Sequence, residues 1–407
     1  MISHLGTFDV ENYGDLLYPI VFSHLLKKHA SLNVQHYSPL PVKAPQDAGF
    51  ETDSITALFT PNAQAHTIVI GGGDILRTDW ITFASHYSTN SHSSYNGLRR
   101  SIGPLNALNY SLRTKVPRGK PAAFFASRFR RHRLNYSAVG PFLIDSETLP
   151  RGSSISYLSC GVPHEFTPTE SESVKRIFNQ ASFIYLRDEQ CAEKLRRAGV
   201  ERDIHVAPDL AITLSDQFDK EAQITRGREI LSAIGIKSEI SFLCFQCKPY
   251  PGFSEEEIVS ELKRYQERTN SPVVLLPTGY CHGDAQFLQR LARRSGGSLK
   301  YANVTSIADI LSVIAASDLF IGTSLHGNIT AASYGIRHLL GPLPVGKAAG
   351  FLDVMNLSPE LKLRSWAEMN DKIDFAVELP SEYFPERAAL AKRKVYEVVD
   401  QLLFAQR

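Results

Sequence analysis

The sequence predicts an α/β protein of two doubly wound domains, and three observations carry that expectation. Short apolar runs alternate with amphipathic helical patterns over most of the 407 residues, which is the mark of parallel strands joined by crossover helices. Several runs stop at glycine or proline turns, as Thr67-Ile68-Val69-Ile70 does at Gly71-Gly72-Gly73-Asp74. At roughly 150 residues per domain, the length accommodates two or three domains.

The elements follow in order. After Gly14-Asp15, the residues Leu16, Leu17, Ile20, Val21, His24, Leu25 and Leu26 keep a helical period. Strands are expected at Thr67–Ile70, Ile155–Leu158, Phe183–Leu186 and Ile204–Val206, with a helix over Glu189–Ala198 stopped by Gly199. The break between domains falls at about residues 215–237. A second series starts near Ile236, with strands over Ile240–Phe245, Val273–Leu276 and Asp318–Ile321, and a short last strand at Leu339-Leu340. Ser254 caps an acidic-started helix to Arg268. Further helices are read over Asp284–Arg294, Ile307–Ala316, Asn328–Tyr334 and the amphipathic tail Glu386–Phe404. The domains run 1–222, 223–379 and a C-terminal helix 380–407 packing back across both.

Composition excludes several classes. The 44 Lys plus Arg balance 42 Asp plus Glu, which argues against a nucleic-acid binder. Five Cys spread over a long chain are not a disulfide framework and fit a reducing compartment. No stretch reads as a signal peptide or reaches the roughly 20 apolar residues of a bilayer span, so the expectation is a cytoplasmic protein. Between Trp80 and Ile144, however, there is no acid and there are ten Lys or Arg, including Arg128, Arg130, Arg131 and Arg133. This basic insertion 80–144 is either a solvated surface or a patch for an anionic ligand or membrane face.

In open α/β sheets, ligands sit beyond the carboxyl ends of the strands, so residues there are the site candidates. Asn12-Tyr13-Gly14-Asp15 opens the first helix, where free amides accept anions; Asp15 equally suits the helix dipole. Gly72, Gly73 and Asp74 form a close-approach turn without the Lys of a phosphate loop or the spacing of a dinucleotide fingerprint. Arg187 follows a strand and either clamps an anion or pairs with Asp188. Thr323-Ser324-Leu325-His326-Gly327 brings hydroxyls, an imidazole and helix amides to one spot outside the core, and His326 suits proton transfer near neutral pH. Lys248 and His282 end neighbouring strands and add positive charge. No metal site is expected, since Cys244 and Cys247 fall on a buried strand without a second ligand pair.

In their order, these motifs resemble the polysaccharide pyruvyl transferase family. Asn12-Tyr13-Gly14-Asp15, Ile70-Gly71-Gly72-Gly73, Tyr185-Leu186-Arg187-Asp188, Asp209 and the run from Asp318 through His326 and Gly327 to Gly335 are similar to the family's motifs. The resemblance implies a GT-B-like fold, two facing Rossmann-like domains with the active site in the interdomain cleft. It implies transfer of a pyruvyl group from phosphoenolpyruvate to two sugar hydroxyls as a cyclic ketal, without a cofactor. Arg187 would hold the donor, His326 would either protonate it or hold its carboxylate, and Asp15 would accept the hydroxyl proton. Asn12, Gly14, Gly72, Gly73, Asp74, Lys248, His282, Ser324, Leu325 and Gly327 would line the substrates. Many members carry Arg two positions before the signature His, where this chain has Ser324; Lys248, His282 or a basic-insertion arginine would replace that charge. The implied acceptor is a sugar or a lipid-linked oligosaccharide, with the basic insertion touching an anionic membrane. The competing readings are a nucleotide-sugar glycosyltransferase of the same fold and a non-catalytic carbohydrate-binding descendant.

Overall fold

The computed structural model describes residues 1–10, 12–29, 32–39, 41–43, 49–59, 65–77, 142–237, 239–279, 283–343 and 347–405. Nearly all of the basic insertion 80–144, including its four clustered arginines, and His282 lie outside the described residues. The first series is β1 (Ile2–Leu5), α1 (Tyr13–His29), β2 (Val34–Ser38), β3 (Val42–Lys43), β4 (Glu51–Ser54), β5 (Thr67–Gly71), β6 (Ser154–Cys160), α2 (Pro168–Asn179), β7 (Phe183–Leu186), α3 (Glu189–Arg197) and β8 (His205–Val206). Its strands make one sheet in the order β3-β4-β2-β1-β5-β6-β7-β8, parallel except where β3 meets β4.

The chain then crosses through a 3₁₀ turn (Leu210–Thr213), α4 (Leu214–Gln217) and α5 (Lys220–Ala233). The second series is β9 (Leu243–Gln246), α6 (Glu255–Thr269), β10 (Val273–Leu275), α7 (Asp284–Arg294), β11 (Lys300–Tyr301), α8 (Ile307–Ala315), β12 (Leu319–Gly322), α9 (Leu325–Ser333) and β13 (Arg337–Leu340), followed by α10 (Lys347–Val354), α11 (Met369–Glu378) and α12 (Tyr383–Ala405). This sheet is all parallel, in the order β11-β10-β9-β12-β13. In each sheet the first strand has the second on one side and a later one on the other. Strand order therefore reverses between β1 and β5 and between β9 and β12, which are the places where such sheets open a ligand crevice.

Helix α1 couples the halves. A helix with one apolar stripe covers one sheet; α1 is buried around most of its girth from Tyr13 to Leu26, as befits a helix held between two packed bodies. Leu16, Leu17, Val21, Phe22, Leu25 and Leu26 are each 1% exposed or less. It packs on β2 on one side and on the Leu210–Thr213 turn, α8 and α9 on the other. Helix α12 returns over the crossing, lying against Leu210–Thr213, β7 and α9. Lys392 Nζ reaches Asp216 Oδ1 at 2.8 Å, and Tyr396 Oη donates to Asp216 Oδ2 at 2.5 Å. Among the described residues, no helix is long and apolar enough to cross a membrane.

The structure departs from the sequence reading in several places. Strands β1 to β4 and β11 and helices α2, α4, α5, α10 and α11 are additional, α5 lying inside the break expected at 215–237. Central β1 carries Ser3 and His4, whose polarity breaks the apolar run; inside the fold Ser3 Oγ meets His66 at 3.2 Å and His4 Nδ1 meets His36 Nδ1 at 3.1 Å, while His4 Nε2 is buried without a hydrogen-bond partner. The strand expected from Ile240 starts at Leu243, because Ile240 lies in a turn whose carbonyl accepts from Arg228 Nη1 at 2.6 Å. Helix α9 starts at Leu325, not Asn328, since Ser324 caps it.

Candidate active site

The glycine turn after β5 exists to bring backbone close to α1. Gly72 and Gly73 take φ of +95° and +69°, left-handed values that L side chains rarely adopt. A Cβ on Gly72 would also strike the Tyr18 ring, and one on Gly73 would lie 2.6 Å from Asp15 Oδ1. Asp15 is steadied by Asn12, whose Nδ2 donates to Oδ2 at 2.7 Å. The Tyr13 amide donates to the Thr278 carbonyl at 3.1 Å, and its hydroxyl meets Thr330 Oγ1 at 2.9 Å. The start of α1 is thereby fastened to strand end β10 and to α9.

His326 enters from the other sheet. Ser324 caps α9 by accepting from Gly327 N at 3.2 Å, and Asn328 Nδ2 donates to the Gly322 and Ser324 carbonyls at 2.9 Å each. These bonds place His326 in the first turn, with its ring against Gly14, where a Cβ would overlap it. His326 is 9% exposed, so the expectation of a position outside the core is corrected; α9 is pressed between α1, β12 and β13. Its Nε2 lies 3.0 Å from Tyr18 Oη and 3.7 Å from Asp209 Oδ2. Tyr18 Oη donates to that same Oδ2 at 2.6 Å, while Asp209 Oδ1 accepts from Ala211 N at 3.0 Å. Burial alone would push Asp209 up; the His326 bond and charge, with Arg187 and Tyr18, outweigh it and hold the carboxyl below its usual range.

Arg187 stands at the end of β7, 5% exposed, ion-paired through Nη2 with Asp74 and 3.8 Å from Asp188 Oδ2 through Nε. Its Nε–H is buried without a hydrogen-bond acceptor. Burial opposes its charge, but Tyr18, Cys191, Asp209 and Asp188 outweigh that and hold it above its ordinary value. Gly161 leaves room for this pair, since a Cβ there would collide with both Asp74 and Arg187. Strand β6 reaches Gly161 through a bulge at which Ser159 takes φ +54°, and Ser159 Oγ accepts from Leu210 N at 3.0 Å. The strained turn therefore also aims the Asp209 loop.

A second corner forms where β9, β10 and β12 end. Gln246 Oε1 accepts from Ser324 N at 2.7 Å, and its Nε2 donates to Asp284 Oδ2 at 2.6 Å. Gly279 N gives that oxygen a second donor at 3.0 Å. Asp284 Oδ1 is buried and unpaired, and burial pushes this carboxyl up to about 6 despite those donors and the Lys248 charge. The Lys248 backbone amide is held by Thr323 Oγ1 at 3.1 Å. Cys244 and Cys247 are buried free thiols, both pushed up by burial.

The structure thus brings Asn12, Gly14, Asp15, Gly72, Gly73, Asp74, Arg187 and His326 together where the two sheets meet. Lys248 belongs to the neighbouring corner with Thr323 and Asp284. Of the expected lining residues, Ser324 has its hydroxyl engaged as a cap, Leu325 packs on the apolar core, and Gly327 makes room for the Phe320 ring. Tyr18 and Asp209 were not singled out as site residues; Tyr18 carries no signal in an apolar helix, whereas Asp209 at a strand end did.

Solved structures of known proteins share this architecture. Similar ones include UDP-GlcNAc 2-epimerase from Neisseria meningitidis bound to UDP-GlcNAc (TM-score 0.55, 10% identity, 99% of this chain and 98% of that one). The same enzyme from Methanocaldococcus jannaschii, in complex with UDP-GlcNAc and UDP, gives TM-score 0.52 and 10% identity over 99% of each chain. Anabaena HepE in complex with UDP gives 0.51 and 13% identity, covering 100% of this chain and 99% of that one. These likenesses establish the fold as GT-B-like, two facing Rossmann-like domains. No curated protein sequence matches the chain significantly. The sequence model for polysaccharide pyruvyl transferase matches residues 12–340, from the start of α1 to the end of β13. With every strand of both sheets except β1 inside that match, the chain belongs to the polysaccharide pyruvyl transferase family.

Proposed function

We propose that the protein transfers a pyruvyl group from phosphoenolpyruvate to two hydroxyls of a sugar, closing a cyclic ketal and releasing inorganic phosphate. One observation carries the reading: a buried guanidinium with an unmet donor and an imidazole backed by a carboxylate stand together where the two sheets meet. Phosphoenolpyruvate bears a carboxylate and a phosphate, and a charge-assisted bond from Arg187 Nε would anchor either. His326 gives a proton to the enol methylene carbon, which becomes a methyl group. One sugar hydroxyl adds to the adjacent carbon, and Asp15 accepts its proton. The second hydroxyl then displaces phosphate, the carbon–oxygen electron pair leaving with the phosphate. Of the two hydroxyl protons, one restores the imidazole and one ends on phosphate. The acceptor is a sugar of a polysaccharide or of its precursor.

Ligand-dependent melting tests this directly. A ligand at 100 times its Kd stabilises the folded state by about 2.7 kcal/mol. Phosphoenolpyruvate is expected to raise the melting temperature, and a sugar diol added with it to release phosphate. Stabilisation by UDP-sugars and not by phosphoenolpyruvate would replace the reading with a glycosyltransferase; the UDP bound to the structural neighbours motivates that arm. Stabilisation by sugars alone would point to a non-catalytic carbohydrate binder.

A further inference from the structure

Three polar groups meet at this junction of the sheets with two protons to share. Tyr18 Oη lies 2.6 Å from Asp209 Oδ2 and 3.0 Å from His326 Nε2. Asp209 is ionised, and a carboxylate only accepts. The 2.6 Å contact therefore consumes the single phenol proton. Tyr18 Oη then offers Nε2 only lone pairs, so the proton in the 3.0 Å contact must belong to the imidazole. Hydrogen-bond networks of this kind decide a histidine tautomer. The geometry is held on both sides: Asp209 by its bond from Ala211 N, and the His326 ring by Gly14 on one face and the edge-on Tyr18 ring, 5.5 Å away at 87°, on another.

We infer that Tyr18 and Asp209 are positioning residues that lock His326 in its Nε2–H form, making Nδ1 the nitrogen that exchanges a proton with substrate. Among the described residues nothing hydrogen-bonds Nδ1, and it is not one of the buried unpaired atoms. The inference rests on the pyruvyl-transfer reading for the identity of the substrate, though not for the lock. In that reaction the proton leaves Nδ1 for the methylene carbon, the N–H electron pair stays on the ring, and the ring returns to the neutral Nε2–H form. While both nitrogens carry protons, Asp209 Oδ2, 3.7 Å from Nε2, supplies the counter-charge.

The lock is tested by two-bond proton–nitrogen correlation spectra of ligand-free protein carrying ¹⁵N-histidine, with His326 identified as the signal missing from His326→Gln. The expected neutral form is protonated at Nε2. Tyr18→Phe removes the acceptor and should give a tautomer mixture. Asp209→Asn should lower kcat by up to about 10⁴-fold, the scale of a misplaced tautomer in a hydrolytic triad, with KM for phosphoenolpyruvate nearly unchanged. A wild type protonated at Nδ1 would overturn the lock, as would a Tyr18→Phe variant retaining both tautomer and kcat. The two readings fail separately. Nε2–H without any response to phosphoenolpyruvate refutes the reaction and leaves the lock; Nδ1–H with phosphoenolpyruvate turnover refutes the lock and leaves the reaction.

Discussion

Gly14→Ala offers a sharp test, because helix propensity and packing pull it in opposite directions. Gly14 lies inside α1 and is not among the positive-φ glycines, so its backbone does not require glycine. In an open helix the change would stabilise by about 0.8–1 kcal/mol. Here the new Cβ would stand 2.7 Å from His326 Cε1 and closer still to Cγ and Nδ1. Overpacking of this kind costs about 1–3 kcal/mol, so the net effect should be destabilisation of up to about 2 kcal/mol. The ring must also shift, and a displacement near 1 Å at a reacting group costs about 10²-fold in rate. The decisive assay is a double-mutant cycle followed by urea unfolding. In a His326→Ala background the obstruction is gone, and Gly14→Ala should become stabilising by up to about 1 kcal/mol. The same sign and size of effect in both backgrounds would refute the claim that His326 is why position 14 is glycine.

Three further outcomes follow from buried charge. Burial lowers His36 to about 4, so the unfolded chain binds the extra proton first; stability should fall by about 3 kcal/mol as pH drops from 6.5 to 4. His36→Gln should flatten that acid limb in urea midpoints measured at pH 7 and 4.5, with His4 and His338 keeping a residual slope; an unchanged slope sinks the argument. Asp284 has the opposite sign: raised to about 6, it holds its proton more tightly when folded, so stability is lost as pH rises from the unfolded value toward 6. Asp284→Asn should therefore raise the melting temperature at pH 8 and have little effect at pH 4, and equal shifts at both would contradict the assignment. Arg187→Gln removes the guanidinium paired with Asp74; breaking a buried pair costs about 3–5 kcal/mol, and thermal stabilisation by phosphoenolpyruvate should disappear. Retained stabilisation would remove Arg187 from the donor site.

What was legible in the sequence was local. Asn12 three residues before Asp15, and a glycine turn directly after strand β5, are visible as spacing, whereas the ion-pair partner of Arg187, Asp74, lies 113 residues away. The partners of His326 are distant as well. Tyr18 is 308 residues from His326 and 191 from Asp209, and within α1 it is one more apolar-patterned aromatic. Central β1 was hidden because the partners of its polar side chains, His66 for Ser3 and His36 for His4 Nδ1, lie 63 and 32 positions away. Ser324 reads as a ligand contact until the helix start is known, whereupon its hydroxyl is seen to be engaged by Gly327.

The clasp of α12 on the crossing also sets a timetable for synthesis. Lys392 is made 176 residues after its partner Asp216. At about 5–20 residues per second, that separation is roughly 10–35 s. Throughout it, Leu210, Ala211 and Ile212, which end with no exposure at all, lack the helix that covers them. The first sheet can form early, yet the groove beside it stays open to any apolar segment of the emerging chain. Chaperone demand should therefore peak in the interval between completion of β8 and emergence of residue 383.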